Sequence, residues 1–214
     1  PPVFSAQSEL VVLQVMVEDR QHAYVTNLPP EAFTVREDNV PQVIEFFNRL
    51  DAPVTVGLLI DSSGSMASVR NLVAAAAGTF VTTSNPEDEV FALTFNENVR
   101  PVLPEAEPFT SDGATLRAAL LEALSARGRT ALHDAIVSGL RYVTQGMHER
   151  RVLIAISDGG DNASTATFDE VLRQTQISNT LIYTIALVDP LDHDAMPGRL
   201  KRLAEASGGE AFEP

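Results

Sequence analysis

From residue 54 onward, short apolar runs alternate with segments of helical period, and the runs end in polar loops. Val54 to Ile60 reads as a continuous apolar run, the pattern of a strand buried on both faces. Asp61-Ser62-Ser63-Gly64-Ser65 follows it, and then Val69, Leu72, Val73, Ala76 and Phe80 recur at helical spacing. The cycle repeats with strands at Val90–Phe95, Val152–Ile156 and Leu181–Val188, and a short edge strand at Val99–Leu103. Helices are predicted from Ser111-Asp112 to about Leu124, along Leu132, Ile136, Leu140, Val143 and Met147, over Thr165–Gln176 and over Pro197–Ala206. Ser207-Gly208-Gly209 stops the last helix, and Glu210-Ala211-Phe212 is a final short strand. Strands alternating with helices require a parallel sheet covered on both faces, an α/β architecture.

Residues 1–50 carry a different pattern. Val11, Leu13, Val15 and Val17 alternate with period two, and Phe33–Arg36 and Val43–Phe47 flank a turn at Glu37-Asp38-Asn39. This reads as a small N-terminal β extension, with 51–214 as the main domain. Because the chain enters its first core strand at the amino end, the extension is expected opposite the loops that follow the strands.

Composition removes several classes of function. The net charge is −14, and so acidic a surface repels phosphate backbones, which argues against nucleic acid as a partner. No run is long and apolar enough for a transmembrane helix. Pro1-Pro2-Val3-Phe4-Ser5 lacks the basic start and apolar run of a signal peptide. With no cysteine, disulfides, zinc–thiolate sites and cysteine nucleophiles are excluded.

In an open parallel sheet, ligands bind beyond the carboxyl ends of the strands. Asp61-Ser62-Ser63-Gly64-Ser65 and Ser157-Asp158-Gly159 lie at such ends, and the loop Gly128-Arg129-Thr130 can reach the same edge. If the two strands are neighbours, Asp61 and Asp158 come together, and a cation between them relieves their repulsion. The donors are two carboxylates and three hydroxyls, which favours Mg²⁺, Mn²⁺ or Ca²⁺ over zinc or copper. Any one cluster alone is explained by a helix-capping turn; three together are harder to explain that way.

D-x-S-x-S at residues 61–65, the Thr of GRTALHDA and the Asp of SDGGDN resemble the metal-ion-dependent adhesion site of von Willebrand factor type A domains. The resemblance covers roughly residues 52 to 213. It implies a three-layer, Rossmann-like fold and a metal site of Asp61, Ser63, Ser65, Thr130 and Asp158. In that reading Ser63 and Ser65 ligate directly, Thr130 directly or through water, and Asp61 and Asp158 mostly through water. It also implies Mg²⁺ or Mn²⁺ as the cation, an Asp or Glu of a partner protein as the ligand, and no catalysis. The run FTVREDNVPQVIEFF ahead of the domain resembles bacterial von Willebrand factor A-related proteins, common in acidobacteria, which implies export to the periplasm or beyond. Those proteins commonly have Tyr where His133 stands.

Three other functions compete. A haloacid dehalogenase-type phosphatase needs a second acid two residues after its Asp nucleophile, but position 63 is Ser. It also needs a phosphate-binding lysine, and the lone lysine, Lys201, lies in the final helix. A serine hydrolase needs a G-x-S-x-G elbow, which is missing. A structural module whose site binds a glutamate of a neighbouring domain remains compatible. Asp161 and Asn162 read as turn formers able to brace the Asp158 loop, and Asp134 as stabilising the start of its own helix. The loop with Asp189, Asp192, His193 and Asp194 reads as a solvated acidic rim. All four histidines read as surface or boundary residues.

Overall fold

The computed structural model describes residues 11, 13, 15, 17, 19–21, 25, 28–47, 52–124, 127–188 and 195–214. Its contacts divide the chain into two units, Pro1–Asp51 and Ala52–Pro214.

In the first unit, strands β1 (Val35–Glu37) and β2 (Val40–Gln42) form an antiparallel hairpin closed by the pair Glu37↔Val40. Asp38 and Asn39 both have positive φ, 46° and 68°, as the tight type I′ turn between twisted strands demands. The second strand therefore starts three residues earlier than the run Val43–Phe47 suggests. That run lies outside any strand, with Val43 85% and Phe46 80% exposed. Val17 and Val25 share a backbone hydrogen bond of 2.8 Å. Of the strand expected over 10–19, the residues 10, 12, 14, 16 and 18 lie outside the described ones; Val11, Leu13, Val15, Val17 and Asp19 are assigned to no strand, and Val11, Leu13 and Val15 are exposed.

The second unit is a six-stranded sheet between helices. Its strands are β3 (Thr55–Asp61), β4 (Glu89–Phe95), β5 (Val99–Pro101), β6 (Arg151–Ser157), β7 (Thr180–Ala186) and β8 (Ala211–Phe212). They lie in the order β5-β4-β3-β6-β7-β8, all parallel except β5, which hairpins back onto β4. The helices are α1 (Arg70–Thr83), α2 (Gly113–Ala123), α3 (Leu132–Tyr142), α4 (Phe168–Ile177) and α5 (Pro197–Ser207). This is the mixed α/β fold, with a mostly parallel central sheet flanked by helices, that the alternating pattern requires.

Strand residues alternate between two cores because side chains of successive residues leave opposite faces. Val56, Leu58 and Ile60 pack with α1 and α2 through Val73, Ala77, Val81, Leu116 and Leu120. Leu59 packs the other way with Phe91, Leu93 and Leu153 against Leu132, Ile136 and Leu140 of α3, Val171 of α4 and Leu200 and Leu203 of α5. β3 and β4 are buried at every position, which is why they read as unbroken apolar runs. The chain thus leaves β3 toward one face and β6 toward the other. The two strands are direct neighbours, paired through Ile60↔Ile156, so a crevice opens between their carboxyl ends.

Two helical stripes differ from expectation. In α1, Val73, Ala74, Ala77, Gly78 and Val81 are buried, while Leu72 is 67% exposed and Ala76 faces solvent. In the stripe of α3, Leu132, Ile136, Leu140 and Val143 are buried, but Met147 lies beyond the helix and is 83% exposed. No described helix is long and apolar enough to cross a membrane.

Candidate functional site

Asp61 closes β3 with its side chain almost wholly buried, 1% exposed. One carboxylate oxygen, Oδ1, accepts the Ser63 amide at 2.8 Å, folding the chain into a tight turn. The other, Oδ2, accepts the Ser157 hydroxyl from the neighbouring strand at 2.7 Å. Burial pushes this carboxyl above the usual 3.8; the bonds from Ser63 and Ser157 pull it down, and the Asp158 charge adds to the rise.

Asp158 follows β6 and is also buried. Its Oδ1 accepts the Gly160 amide at 2.8 Å and its Oδ2 accepts the Ser65 hydroxyl at 2.6 Å. The Ser65 and Ser63 hydroxyl oxygens lie 3.1 Å apart. The Asp158 turn depends on Gly159, whose φ is +85° and where a Cβ would come within 2.4 Å of the Met196 carbonyl oxygen. Ser63 is buried and Ser65 is exposed, so the cluster opens to solvent at Ser65.

The third loop docks on the first. Arg127 donates its amide to the Ser62 carbonyl at 3.0 Å, and Gly64 to the Gly128 carbonyl at 3.4 Å. Thr130 is buried, and its hydroxyl makes no hydrogen bond among the described residues. Its backbone is tied to the Asp158 loop instead: the Thr130 amide donates to Asn162 Oδ1 at 2.9 Å, and the Thr130 carbonyl accepts the Asn162 and Ala163 amides at 3.0 Å.

The five residues singled out from the sequence therefore sit on three interlocked loops at one edge of the sheet. Neither Asp61 nor Asp158 has a cationic side-chain partner among the described residues. Among those residues no three His, Asp or Glu side chains gather in a metal-ligating group, so a cation here depends on hydroxyl donors. Two buried carboxylates, a linked pair of serine hydroxyls and a threonine hydroxyl without a partner suit a hard divalent ion in donor chemistry.

Several supporting residues escaped sequence reasoning. Ser157 was read only as part of a loop, yet it orients Asp61. Asp161 and Ser164 cap α3 from a distant loop: Asp161 Oδ2 accepts the His133 amide at 2.9 Å, and Ser164 Oγ accepts the Asp134 amide at 3.1 Å. Asp134 lies in the first turn of α3, as expected for an acid that stabilises the helix start, and it has a second role. Its carboxylate accepts the amides of Thr165 and Ala166, each at 2.9 Å, and so holds the segment leading into α4. His133, expected at the surface or boundary, is 7% exposed; its Nδ1 lies 3.1 Å from the Ala166 carbonyl and its ring 5.5 Å from that of Phe168. Only the contrast of a histidine on the apolar side of an amphipathic helix signals this in the sequence. The acidic loop at 189–194 lies outside the described residues.

The chain is thus an open, mostly parallel α/β sheet with a crevice of carboxylates and hydroxyls between adjacent carboxyl-terminal strand ends, the place where open α/β sheets bind ligands in general. Residues 56–160 match the family model of the von Willebrand factor type A domain. Solved structures agree at the level of fold. One is an aerotolerance-related membrane protein from Bacteroides fragilis, at 18% identity and a TM-score of 0.59, covering 75% of this chain and 91% of that one. A von Willebrand factor type A protein from Catenulispora acidiphila shares 22% identity at a TM-score of 0.62, over 76% of this chain and 39% of its own. The type V pili tip protein Mfa5 from Porphyromonas gingivalis is similar at 14% identity and a TM-score of 0.58, over 75% of this chain and 46% of that one. No curated protein sequence matches the chain significantly.

Proposed function

We propose that this chain is a divalent-cation-dependent protein-binding module, held at Asp61, Ser63, Ser65, Thr130 and Asp158, that engages an Asp or Glu side chain of a partner protein and catalyses no reaction. The observation that carries the reading is the convergence of two buried, cation-less carboxylates with the Ser63–Ser65 hydroxyl pair at a solvent-facing mouth. Ser63, Ser65 and Thr130 supply neutral donors. Asp61 and Asp158 each accept one protein hydrogen bond per carboxylate oxygen, which leaves a second lone-pair direction on each. The Ser65 hydroxyl can donate its proton to Asp158 and still offer a lone pair outward. When bound, Mg²⁺ or Mn²⁺ supplies an electrophilic centre for an incoming carboxylate. The pilus-tip relative and the export implied by the sequence resemblance are both compatible with a role in adhesion or assembly outside the cytoplasm.

Calorimetry with Mn²⁺ on the chelator-stripped chain tests this. One-site binding is expected, and at a hundredfold excess over Kd it adds about 2.7 kcal/mol, a rise of about 5–10 °C in Tm. Ser63→Ala should weaken Mn²⁺ binding at least about tenfold, by analogy with the cost of disturbing a metal shell. Acetate should lower the water-proton relaxation rate of the Mn²⁺-loaded protein. Absence of both heat and thermal shift at millimolar Mn²⁺ overturns the reading.

A further inference from the structure

We infer that Asn162 is a positioning residue for this site, holding Thr130 in place so that its hydroxyl can serve as a donor; the inference rests on the cation-binding reading above. Every other donor is fixed by its own side chain. Asp61 is held by Ser63 and Ser157, Asp158 by Gly160 and Ser65, and the two serine hydroxyls hold each other. The Thr130 hydroxyl has no such partner among the described residues.

What fixes Thr130 is its backbone, and the grip is lopsided. Its carbonyl accepts two amides, from Asn162 and Ala163, both at 3.0 Å. Its amide has one partner, the Asn162 side-chain oxygen at 2.9 Å. The preceding residue leans on the same place, with Arg129 Nη1 donating to the Asn162 carbonyl at 3.2 Å. Asn162 thus binds both the amide and the carbonyl of Thr130, and it does so from the loop that carries Asp158. Two donors far apart in sequence are thereby set by one clamp.

Removing the amide group leaves both carbonyl bonds and frees the Thr130 N–H, so the peptide between Arg129 and Thr130 can turn and carry the hydroxyl out of register. Asn162 is exposed and belongs to neither hydrophobic core, so truncating it removes no core packing. Aspartate at this position keeps an acceptor for the Thr130 amide, whereas alanine does not. This pair of substitutions separates clamping from bulk or loop effects.

The test uses the full chain with Mn²⁺ as probe, reading its Kd by calorimetry and the Tm in chelator. Asn162→Ala should weaken Mn²⁺ binding about tenfold, the lower end for residues that orient metal ligands, while Asn162→Asp stays within about threefold of wild type. In chelator both variants should melt within about 2 °C of wild type. Wild-type affinity in Asn162→Ala overturns the inference, as does an Asn162→Asp variant as weak as Asn162→Ala. A large fall in chelator Tm for Asn162→Ala overturns it too, because the residue would then be serving the fold. Failure of the wild-type chain to bind Mn²⁺ defeats the underlying reading instead, and is seen before any variant is made.

Discussion

Asp61 sets the electrostatic problem of the molecule at the scale of one residue. It is a carboxylate with 1% exposure and no cationic neighbour among the described residues, and burial holds its carboxyl above 3.8. A group whose pKa is raised on folding contributes stability below the unfolded value and loses it as pH rises through the folded one. At neutral pH the raised pKa of Asp61 is therefore a cost to the metal-free fold. Asp61→Asn should raise the chelator Tm at pH 7 by about 2–4 °C, corresponding to about 1 kcal/mol, and remove the Mn²⁺ shift. A lower Tm in chelator would show that the carboxylate stabilises the fold by itself. Asp134 has the opposite sign. Burial alone would raise its carboxyl, but the amides of Thr165 and Ala166, the Thr165 hydroxyl and the nearby His133 draw it below 3.8. Its stabilisation is present above that value and lost as pH falls through the lower folded one. Asp134→Asn should therefore melt earlier than wild type at pH 7, and the gap should narrow as pH falls below 3.8 and through the lower folded value. A gap that persists in acid would assign the effect to packing.

At the scale of elements, the notable feature is that α3 is capped from outside its own sequence neighbourhood. No side chain of Ala131 can serve as a cap, and Asp161 and Ser164 supply the acceptors from the loop beyond β6. In exchange Asp134 of α3 holds the start of the segment at 165–166. Asp161→Ala should cost about 1–2 kcal/mol, as for other lost caps, seen as a lower urea midpoint at unchanged slope. A change in slope would indicate that the loop had unfolded more broadly. Such a cap is invisible to a search for local S-x-x-E signals, because donor and acceptor lie 28 residues apart. The phase of α1 was hidden for a related reason. Its middle is a run of alanines with no apolar contrast, and the face that is buried is chosen by α2, where Gly78 and Gly113 let the backbones come close.

At the scale of the whole molecule, both hydrophobic cores lie within 52–214. Expressed alone, Ala52–Pro214 should unfold in one cooperative transition by calorimetry, as a domain with its own core does. A fragment that melts without a transition would mean that the first 51 residues complete the fold. The acidic balance of −14 belongs to this scale as well: it repels acidic molecules over the surface, and on the proposed reading a cation at the Asp61–Asp158 crevice would offset it locally.

The sequence by itself determined the α/β class, the strand and helix order of residues 54–212, and the placing of three polar clusters after strands or before a helix. It could do so because burial on both faces writes an unbroken apolar run, and helix burial writes a 3.6-residue period. The hairpin turn at Asp38-Asn39 was legible from residue type, but its register was not, since Val40 and Val43 are equally good strand formers. Only the tertiary structure decided that β3 and β6 are neighbours, that Ser157 orients Asp61, and that Asn162 clamps Thr130. Strand order and side-chain hydrogen bonds between loops about 30 to 100 residues apart carry no periodic signature; they exist once the sheet has brought the loops together.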